Sequence, residues 1–325
     1  MKVLFLTNNS FGLYRFRKEV IKSLIDIGYD CVVVSPNDEY SEKIKNLGCK
    51  TVDININRRG KNILEEIKTF LDMKKILKTE NPDIVLTYTI KPNIYGGIIS
   101  RRYKFDYITN ITGIGTAIKA DNYLSKILLK LYKIALYSSK KVFFQNTDNF
   151  NLFKHKGIID NNYSLIPGSG VNLEQFEYKK PVKSHKLKFV FIGRVMKDKG
   201  VLEFIEAANI IKENTDNCEF IIIGTVEEDF QDAFNKINKN NILYLGEKKE
   251  IIKFYHISDI IVLPSYHEGM SNVLLEASSI GRPSIATNIS GCKEIVDNKK
   301  TGILIEPRNT DELVKAIEYY LYMDY

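Results

Sequence analysis

Strand-length runs of consecutive apolar residues alternate along the chain with longer stretches whose apolar positions return at helical spacing, the pattern of parallel sheets built from βαβ units. The sequence predicts a first set of strands near Val3–Thr7, Cys31–Ser35, Ile84–Thr87, Tyr107–Asn110 and Val142–Gln145, with helical patterns over Leu13–Ile27, Leu64–Lys78 and Tyr123–Tyr137. A second set follows near Lys188–Ile192, Glu219–Ile223, Ile242–Leu245, Ile260–Leu263, Ser284–Ala286 and Gly302–Ile305. Between them, Asn172–Lys186 holds Lys179-Lys180-Pro181 and few buried-type residues beyond Leu173 and Phe176, so it reads as the hinge. The expected fold is α/β: a Rossmann-like doubly wound domain over 1–172, a linker over 173–186 and a second such domain over 187–325. Two domains of this kind face each other across a cleft at the carboxyl ends of their strands, where open α/β sheets bind ligands.

Composition narrows the picture. A chain of 325 residues with 44% hydrophobic and 27% charged residues can bury two ordinary cores, which excludes a disordered or fibrous protein. The longest apolar runs, such as Ile257–Pro264, itself interrupted by Ser258 and Asp259, and Phe220–Gly224, fall far short of the ~20 residues of a membrane-spanning helix. Polar Thr7-Asn8-Asn9 interrupts the amino-terminal apolar run before a signal-peptide core is complete, so a cytoplasmic protein is expected. Cys31, Cys49, Cys218 and Cys292 show no Cys-x-x-Cys spacing and the four histidines form no ligand pattern with them, so neither a disulfide framework nor a metal site is expected.

The net charge of +7 is unevenly placed. Residues 1–186 hold 31 Lys and Arg against 18 Asp and Glu, whereas 187–325 hold 16 against 22. A basic first half points to an anionic partner, nucleic acid or a membrane leaflet. No nucleic-acid-binding motif accompanies the charge, which disfavours the first. In Tyr123–Lys141 the residues Lys126, Lys130 and Lys133 share one helical face and Leu and Ile fill the other, with Arg101, Arg102 and Lys104 adding to the basic side. Such a helix either lies on an anionic leaflet, placing the protein on the inner face of the membrane, or is a core helix with a solvated lysine face.

The loops after the strands carry the candidate chemistry. The first reads Thr7-Asn8-Asn9-Ser10-Phe11-Gly12, with one glycine, so the dinucleotide fingerprint fails. Gly12 can serve as a turn residue or let the start of the next helix approach an anion. Gly193-Arg194 through Lys199-Gly200 places two cations in a strand-to-helix loop, where they can clamp a diphosphate and offset charge on a departing one. In Leu263–Ala277, Glu268 lies in a loop and Glu276 inside an otherwise apolar helix, capped by Ser271 or Asn272. A carboxylate there is costly to bury unless a partner such as a ribose hydroxyl accepts its hydrogen bonds. The amides of Gly269, Met270, Ser271, Asn272 and Val273 can hold phosphate oxygens, and Glu268 sugar hydroxyls. Against this, Glu276 can be solvated on an outer face and Glu268 can be a capping carboxylate.

Glu268 and Glu276, with seven residues between them, resemble the E-x(7)-E motif of family 4 retaining glycosyltransferases of the GT-B fold. Gly193-Arg194 with Lys199-Gly200 is similar to that family's donor-phosphate motif, and Pro167–Asn172 with Phe176 to its interdomain segment. Gly281-Arg282-Pro283 and Gly291–Val296 with Thr301-Gly302 resemble its closing motifs. In the first half, Tyr88–Gly96 and Asn110–Gly115 look like the bacterial branch that adds sugars to polyprenyl-diphosphate-linked precursors of surface polysaccharide.

The resemblance implies a metal-independent hexosyltransferase without a cofactor, taking a hexose or N-acetylhexosamine from a nucleotide sugar, UDP-linked in the usual case. The acceptor would be a lipid-linked or other glycan. By the same resemblance Arg194 and Lys199 neutralise the donor diphosphate, Glu276 holds the ribose, Glu268 holds the sugar, and Gly12 lets the first domain close on the phosphates. Lys91, Asn93, Asn110, Thr112 and Gly113 then fall on the acceptor or donor-sugar side. Two departures stand out: no histidine occupies the Asn110–Gly113 stretch, leaving His267 as a neighbour of Glu268 rather than a base, and the sequence stops at Tyr325, short of the family's final crossover helix. A nucleotide-sugar epimerase or hydrolase of the same fold, or a non-catalytic nucleotide-sugar-binding protein, are the competing expectations.

Overall fold

The computed structural model describes residues 1–57, 60, 62–115, 118, 122–181, 185–237 and 239–323. The chain divides into two compact units, Met1–Ser169 and Gly170–Tyr325.

In the first unit, strands β1 (Lys2–Leu6), β2 (Asp30–Ser35), β3 (Lys50–Asp53), β4 (Ile84–Tyr88), β5 (Asp106–Ile111), β6 (Lys141–Phe144) and β7 (Tyr163–Leu165) pair in the order β3-β2-β1-β4-β5-β6-β7. Helices α1 (Ser10–Asp26), α2 (Glu39–Lys45), α3 (Ile63–Glu80), α4 (Ile90–Tyr103), α5 (Tyr123–Leu136) and α6 (Thr147–His155) connect them. The pairings are parallel, with Val3 opposite both Cys31 and Ile84. Side chains alternate across a strand, so β1 feeds two cores. Leu4 and Leu6 pack with Val32, Val34, Met73 and Leu77, while Val3 and Phe5 pack with Leu13, Ile21 and Val33 on the other face.

The second unit repeats the scheme with β8 (Leu187–Ile192), β9 (Cys218–Ile223), β10 (Ile242–Tyr244), β11 (Ile260–Leu263), β12 (Ser284–Thr287) and β13 (Gly302–Ile305), ordered β10-β9-β8-β11-β12-β13. Its helices are α7 (Val201–Asn214), α8 (Gln231–Lys236), α9 (Ile251–Ile257), α10 (Asn272–Ile280) and α11 (Thr310–Tyr322). Phe189 and Phe191 join Phe204, Phe220, Leu313 and Ile317 on one face, and Val190 and Ile192 join Ile221, Tyr255 and Ile280 on the other. In both units the chain order reverses beside the first strand, between β1 and β4 and between β8 and β11. That crevice is where sheets of this topology bind ligands.

Three local expectations change. Strands β3 and β7 were absent from the sequence reading; both are short edge strands rich in polar residues. Helix α1 starts at Ser10 rather than Leu13, because the Asn9 side chain caps it. The stretch read as a hinge is built into the second unit: Phe176 is buried in its core, Ser279 Oγ donates to the Phe176 carbonyl at 2.6 Å, and the Arg282 guanidinium donates to the Lys179 carbonyl at 2.8 Å. The unit boundary accordingly falls at Ser169, ahead of the expected residue 172. Of the expected linker, residues 182–184 lie outside the described residues, as do the chain's last two positions.

Candidate active site

The loop leaving β8 makes one short 3₁₀ turn, Lys197–Lys199, before α7 begins. Gly200 closes that turn at φ +69°, and a Cβ there would stand 2.0 Å from the Pro264 carbonyl oxygen, so only glycine lets the turn seat against the end of β11. The Tyr266 amide donates to the Asp198 carbonyl at 2.9 Å, and the Tyr266 hydroxyl donates to Glu203 Oε1 at 2.5 Å. Arg308 lies over the Tyr266 ring at 4.7 Å. These contacts stitch the β8 and β11 loops together and bring Lys199 Nζ within 2.5 Å of Glu268 Oε1, with only 19% and 10% of the two side chains exposed.

Glu268 is followed by a loop held from behind. The Ser271 amide donates to the Gly291 carbonyl at 2.9 Å. Gly291 has φ +92°, and a Cβ on it would lie 2.6 Å from the Gly269 carbonyl oxygen. Glu294 clamps this support, accepting from the Gly291 amide at 2.6 Å and from Ser290 Oγ at 2.7 Å. Ser271 then caps α10, its hydroxyl accepting from the Leu274 amide at 3.3 Å. Glu276 is buried, 4% exposed, and accepts from the hydroxyl of fully buried Tyr255 at 2.7 Å. The alternative of a solvated Glu276 therefore falls. Cys292, behind the same loop, is an inert thiol, since burial first and the Glu268 charge next push its pKa well up.

Other expected residues are placed differently. Arg194 leaves the same β8 loop, half exposed, and its Nη1 pairs with Glu227 Oε1 at 2.8 Å, drawing it toward the loop after β9. Met270 is nearly buried, Asn272 and Val273 open α10, and His267 is exposed beside Glu268. In the first unit, Gly12 lies inside the first turn of α1 and its amide donates to Asn9 Oδ1 at 2.6 Å, which commits that donor to the helix cap rather than to an anion. Lys91 Nζ meets Glu66 Oε1 and the Asn57 carbonyl at 2.5 Å each, and Tyr95 donates to Glu66 Oε2 at 2.6 Å, so Lys91 ties α4 to α3. Asn93 is fully buried and donates to the Asn110 carbonyl at 3.0 Å; Asn110, buried on β5, donates to the Thr87 carbonyl at 3.4 Å. Both stitch β4, β5 and α4 from inside. Thr112 and Gly113 lie partly exposed just past the end of β5.

Sequence reasoning missed Tyr255, Tyr266, Glu203 and the clamping role of Glu294. No spacing marks Tyr255 or Glu203; Tyr266 and Glu294 stood within quoted motifs without a role. Thr89, the residue after β4, adopts φ 71° and ψ 163°, a region nearly reserved for glycine that costs a threonine about 1–3 kcal/mol. Among the described residues there is no cluster of three or more His, Cys, Asp or Glu suited to a metal ion, and no helix is long and apolar enough to cross a membrane.

Two family models meet this architecture end to end. One described as "Glycosyl transferase 4-like" matches residues 2–146, and one described as "Glycosyl transferases group 1" matches residues 174–324. The chain is 31% identical to an Escherichia coli UDP-Gal:alpha-D-GlcNAc-diphosphoundecaprenol alpha-1,3-galactosyltransferase, over 80% of this chain and 71% of that protein. It is 28% identical to the Campylobacter jejuni N,N'-diacetylbacillosaminyl-diphospho-undecaprenol alpha-1,3-N-acetylgalactosaminyltransferase, over 99% of this chain and 89% of that one. In fold it resembles Anabaena HepE in complex with UDP and glucose, with a TM-score of 0.82 at 17% identity over 99% of this chain and 90% of that one. The paired Rossmann-like units, the Lys199–Glu268 and Glu276 constellation at the sheet crossover and the identity to the Escherichia coli enzyme place the chain in the family 4-like, group 1 glycosyltransferases of the GT-B fold.

Proposed function

We propose that the enzyme is a retaining transferase that moves a hexose or N-acetylhexosamine from a UDP sugar to a polyprenyl-diphosphate-linked acceptor in bacterial surface-polysaccharide synthesis. The observation that carries this reading is the pairing of Lys199 with Glu268 at the ligand-binding end of β8 and β11, with buried Glu276 one helix further on. Lys199, with Arg194, offsets charge on the leaving diphosphate, Glu268 holds the sugar hydroxyls and Glu276 the ribose. The bond from the anomeric carbon to the diphosphate oxygen breaks and the acceptor oxygen bonds to that carbon on the same face. The acceptor proton passes to the departing phosphate oxygen. In this reading the two side-chain cations supply the leaving-group stabilisation that a divalent ion supplies elsewhere, and no resident cofactor takes part. The names of the Escherichia coli and Campylobacter jejuni relatives support the lipid-diphosphate acceptor and, for the former, the UDP donor.

Donor turnover with and without a polyprenyl-diphosphate-linked glycan tests the reading. Glycan extension dependent on acceptor is expected; acceptor-independent conversion of the donor identifies an epimerase or hydrolase, and binding without turnover a non-catalytic protein.

The same reading includes contact with the anionic inner leaflet through Tyr123–Lys141. Lysines and apolar residues were expected on opposite faces of α5. Ser125, Tyr132, Ala135 and Leu136 are indeed inside, but Leu124, Ile127 and Ile134 are exposed together with Lys126, Lys130 and Lys133, between outlying Tyr123 and Tyr137. A surface that is both basic and apolar suits the headgroup region better than water. Replacing Lys126, Lys130 and Lys133 with Glu is expected to abolish co-sedimentation with anionic vesicles while leaving thermal stability unchanged. Unaltered co-sedimentation removes α5 as the contact.

A further inference from the structure

A buried tyrosine paired with a carboxylate is a costly way to fill a core, because an apolar pair of the same shape leaves no hydrogen bond to satisfy. Tyr266 and Glu203 form such a pair in the second unit. Tyr266 is 6% exposed and its hydroxyl donates to Glu203 Oε1 at 2.5 Å, while Glu203 Oε2 is buried without a partner among the described residues. Burial first, then the hydrogen bond and charge of Glu203, push the Tyr266 pKa up, so the phenol stays protonated and keeps donating.

What the pair connects sets it apart. Glu203 lies in the first turn of α7, just beyond Gly200, which closes the turn bearing Lys199. Tyr266 lies just ahead of His267 and Glu268, and its amide donates to the carbonyl of Asp198, the neighbour of Lys199, at 2.9 Å. One residue earlier, the Ser265 carbonyl accepts from Thr287 Oγ1 at 2.5 Å, which anchors the same strand end to β12. Arg308 covers the Tyr266 ring. A hydrogen bond fixes direction as well as proximity, which apolar contact does not. The Tyr266 hydroxyl therefore sets where the Glu268 loop stands relative to the Lys199 turn, across 63 positions of sequence.

We infer that Tyr266 and Glu203 are positioning residues for sugar transfer: they contact neither substrate, and they act by holding Lys199 and Glu268 where the leaving diphosphate and the sugar need them. The inference rests on the transferase reading. The stability given up in a half-satisfied carboxylate is exchanged for a fixed geometry at the site next to it.

Steady-state turnover of the full chain tests this, with a panel of UDP-hexoses and UDP-N-acetylhexosamines as donors and farnesyl-diphosphate-linked N-acetylhexosamines as acceptors. Tyr266→Phe is expected to lower kcat by about tenfold to a hundredfold, the scale of a misplacement of up to about 1 Å, with donor KM within about twofold. Glu203→Gln keeps an acceptor for the hydroxyl and is expected to retain most of the turnover, whereas Glu203→Leu is expected to lose as much as Tyr266→Phe. Equal losses in Glu203→Gln and Glu203→Leu overturn the role of the hydrogen bond. Tyr266→Phe combined with Glu203→Leu removes both polar partners, so it is expected to hold or raise Tm while kcat stays low. A purely structural role predicts activity that follows stability, and near-parent kcat in that stable double variant overturns the inference. In a Lys199→Ala background, Tyr266→Phe is expected to cost less than about threefold, because its effect runs through a pair already broken; an undiminished cost overturns it as well. No turnover by the parent chain on any of these substrates fails the transferase reading and takes this inference with it. Parent turnover that Tyr266→Phe leaves unchanged fails the inference alone.

Discussion

Lys199→Ala is expected to lower kcat by about 100- to 1,000-fold, the range seen when one preorganised group that stabilises developing charge is removed. Charge builds on the diphosphate as the sugar leaves, and an ammonium in a site where only 19% of its side chain is exposed interacts with that charge more strongly than one in bulk water. The same change strips Glu268 of its partner at 2.5 Å, so lost activity alone would not distinguish a leaving-group role from a displaced Glu268. Lys199→Arg makes the distinction. It can still pair with Glu268 and still bears charge, so a structural role predicts near-complete recovery, whereas a point contact to phosphate predicts partial recovery because the fork cannot occupy the ammonium's place. The measurement is a single-turnover rate at saturating donor on protein with unchanged circular dichroism. Normal turnover in a folded Lys199→Ala enzyme would sink the assignment.

The contrast between what could and could not be read from the sequence follows from sheet geometry. Strands β1, β2, β4, β8, β9 and β11 were legible because interior parallel strands covered on both faces need consecutive Val, Ile, Leu and Phe, as in Phe220-Ile221-Ile222-Ile223. Strands β3 and β7 sit at a sheet edge, where Lys50-Thr51-Val52-Asp53 and Tyr163-Ser164-Leu165 need no apolar run. Phe176 looked isolated because the groups that anchor its segment, Ser279 and Arg282, lie 103 positions further along the chain from the residues they bind. The site shows the same division. Lys199 and Glu268 were each legible from the loop they occupy, but their pairing spans 69 positions. Lys91 looked like an open cation, since nothing local announces that Glu66 and the Asn57 carbonyl engage it.

For Glu276, structure and function must be separated before a loss of activity means anything. Its carboxylate accepts the hydroxyl of fully buried Tyr255, so Glu276→Ala leaves that hydroxyl without a partner, at a cost of about 1–3 kcal/mol. A lower Tm is therefore expected in the alanine variant whatever the ligand does. Glu276→Gln retains an acceptor oxygen for Tyr255 and nearly the same volume, yet exchanges two charge-assisted ribose contacts for weaker ones. It is expected to keep its Tm and to weaken UDP by about tenfold or more. Because the proposed contact is to ribose rather than phosphate, inorganic pyrophosphate should bind Glu276→Gln as well as it binds the parent enzyme. A nucleotide lacking the ribose hydroxyls should bind both proteins alike, since the group that reads those hydroxyls has nothing left to read. Equal weakening of UDP and pyrophosphate would mean that the variant has disturbed the loop from Glu268 to Ser271, and the ribose role would then have to be given up.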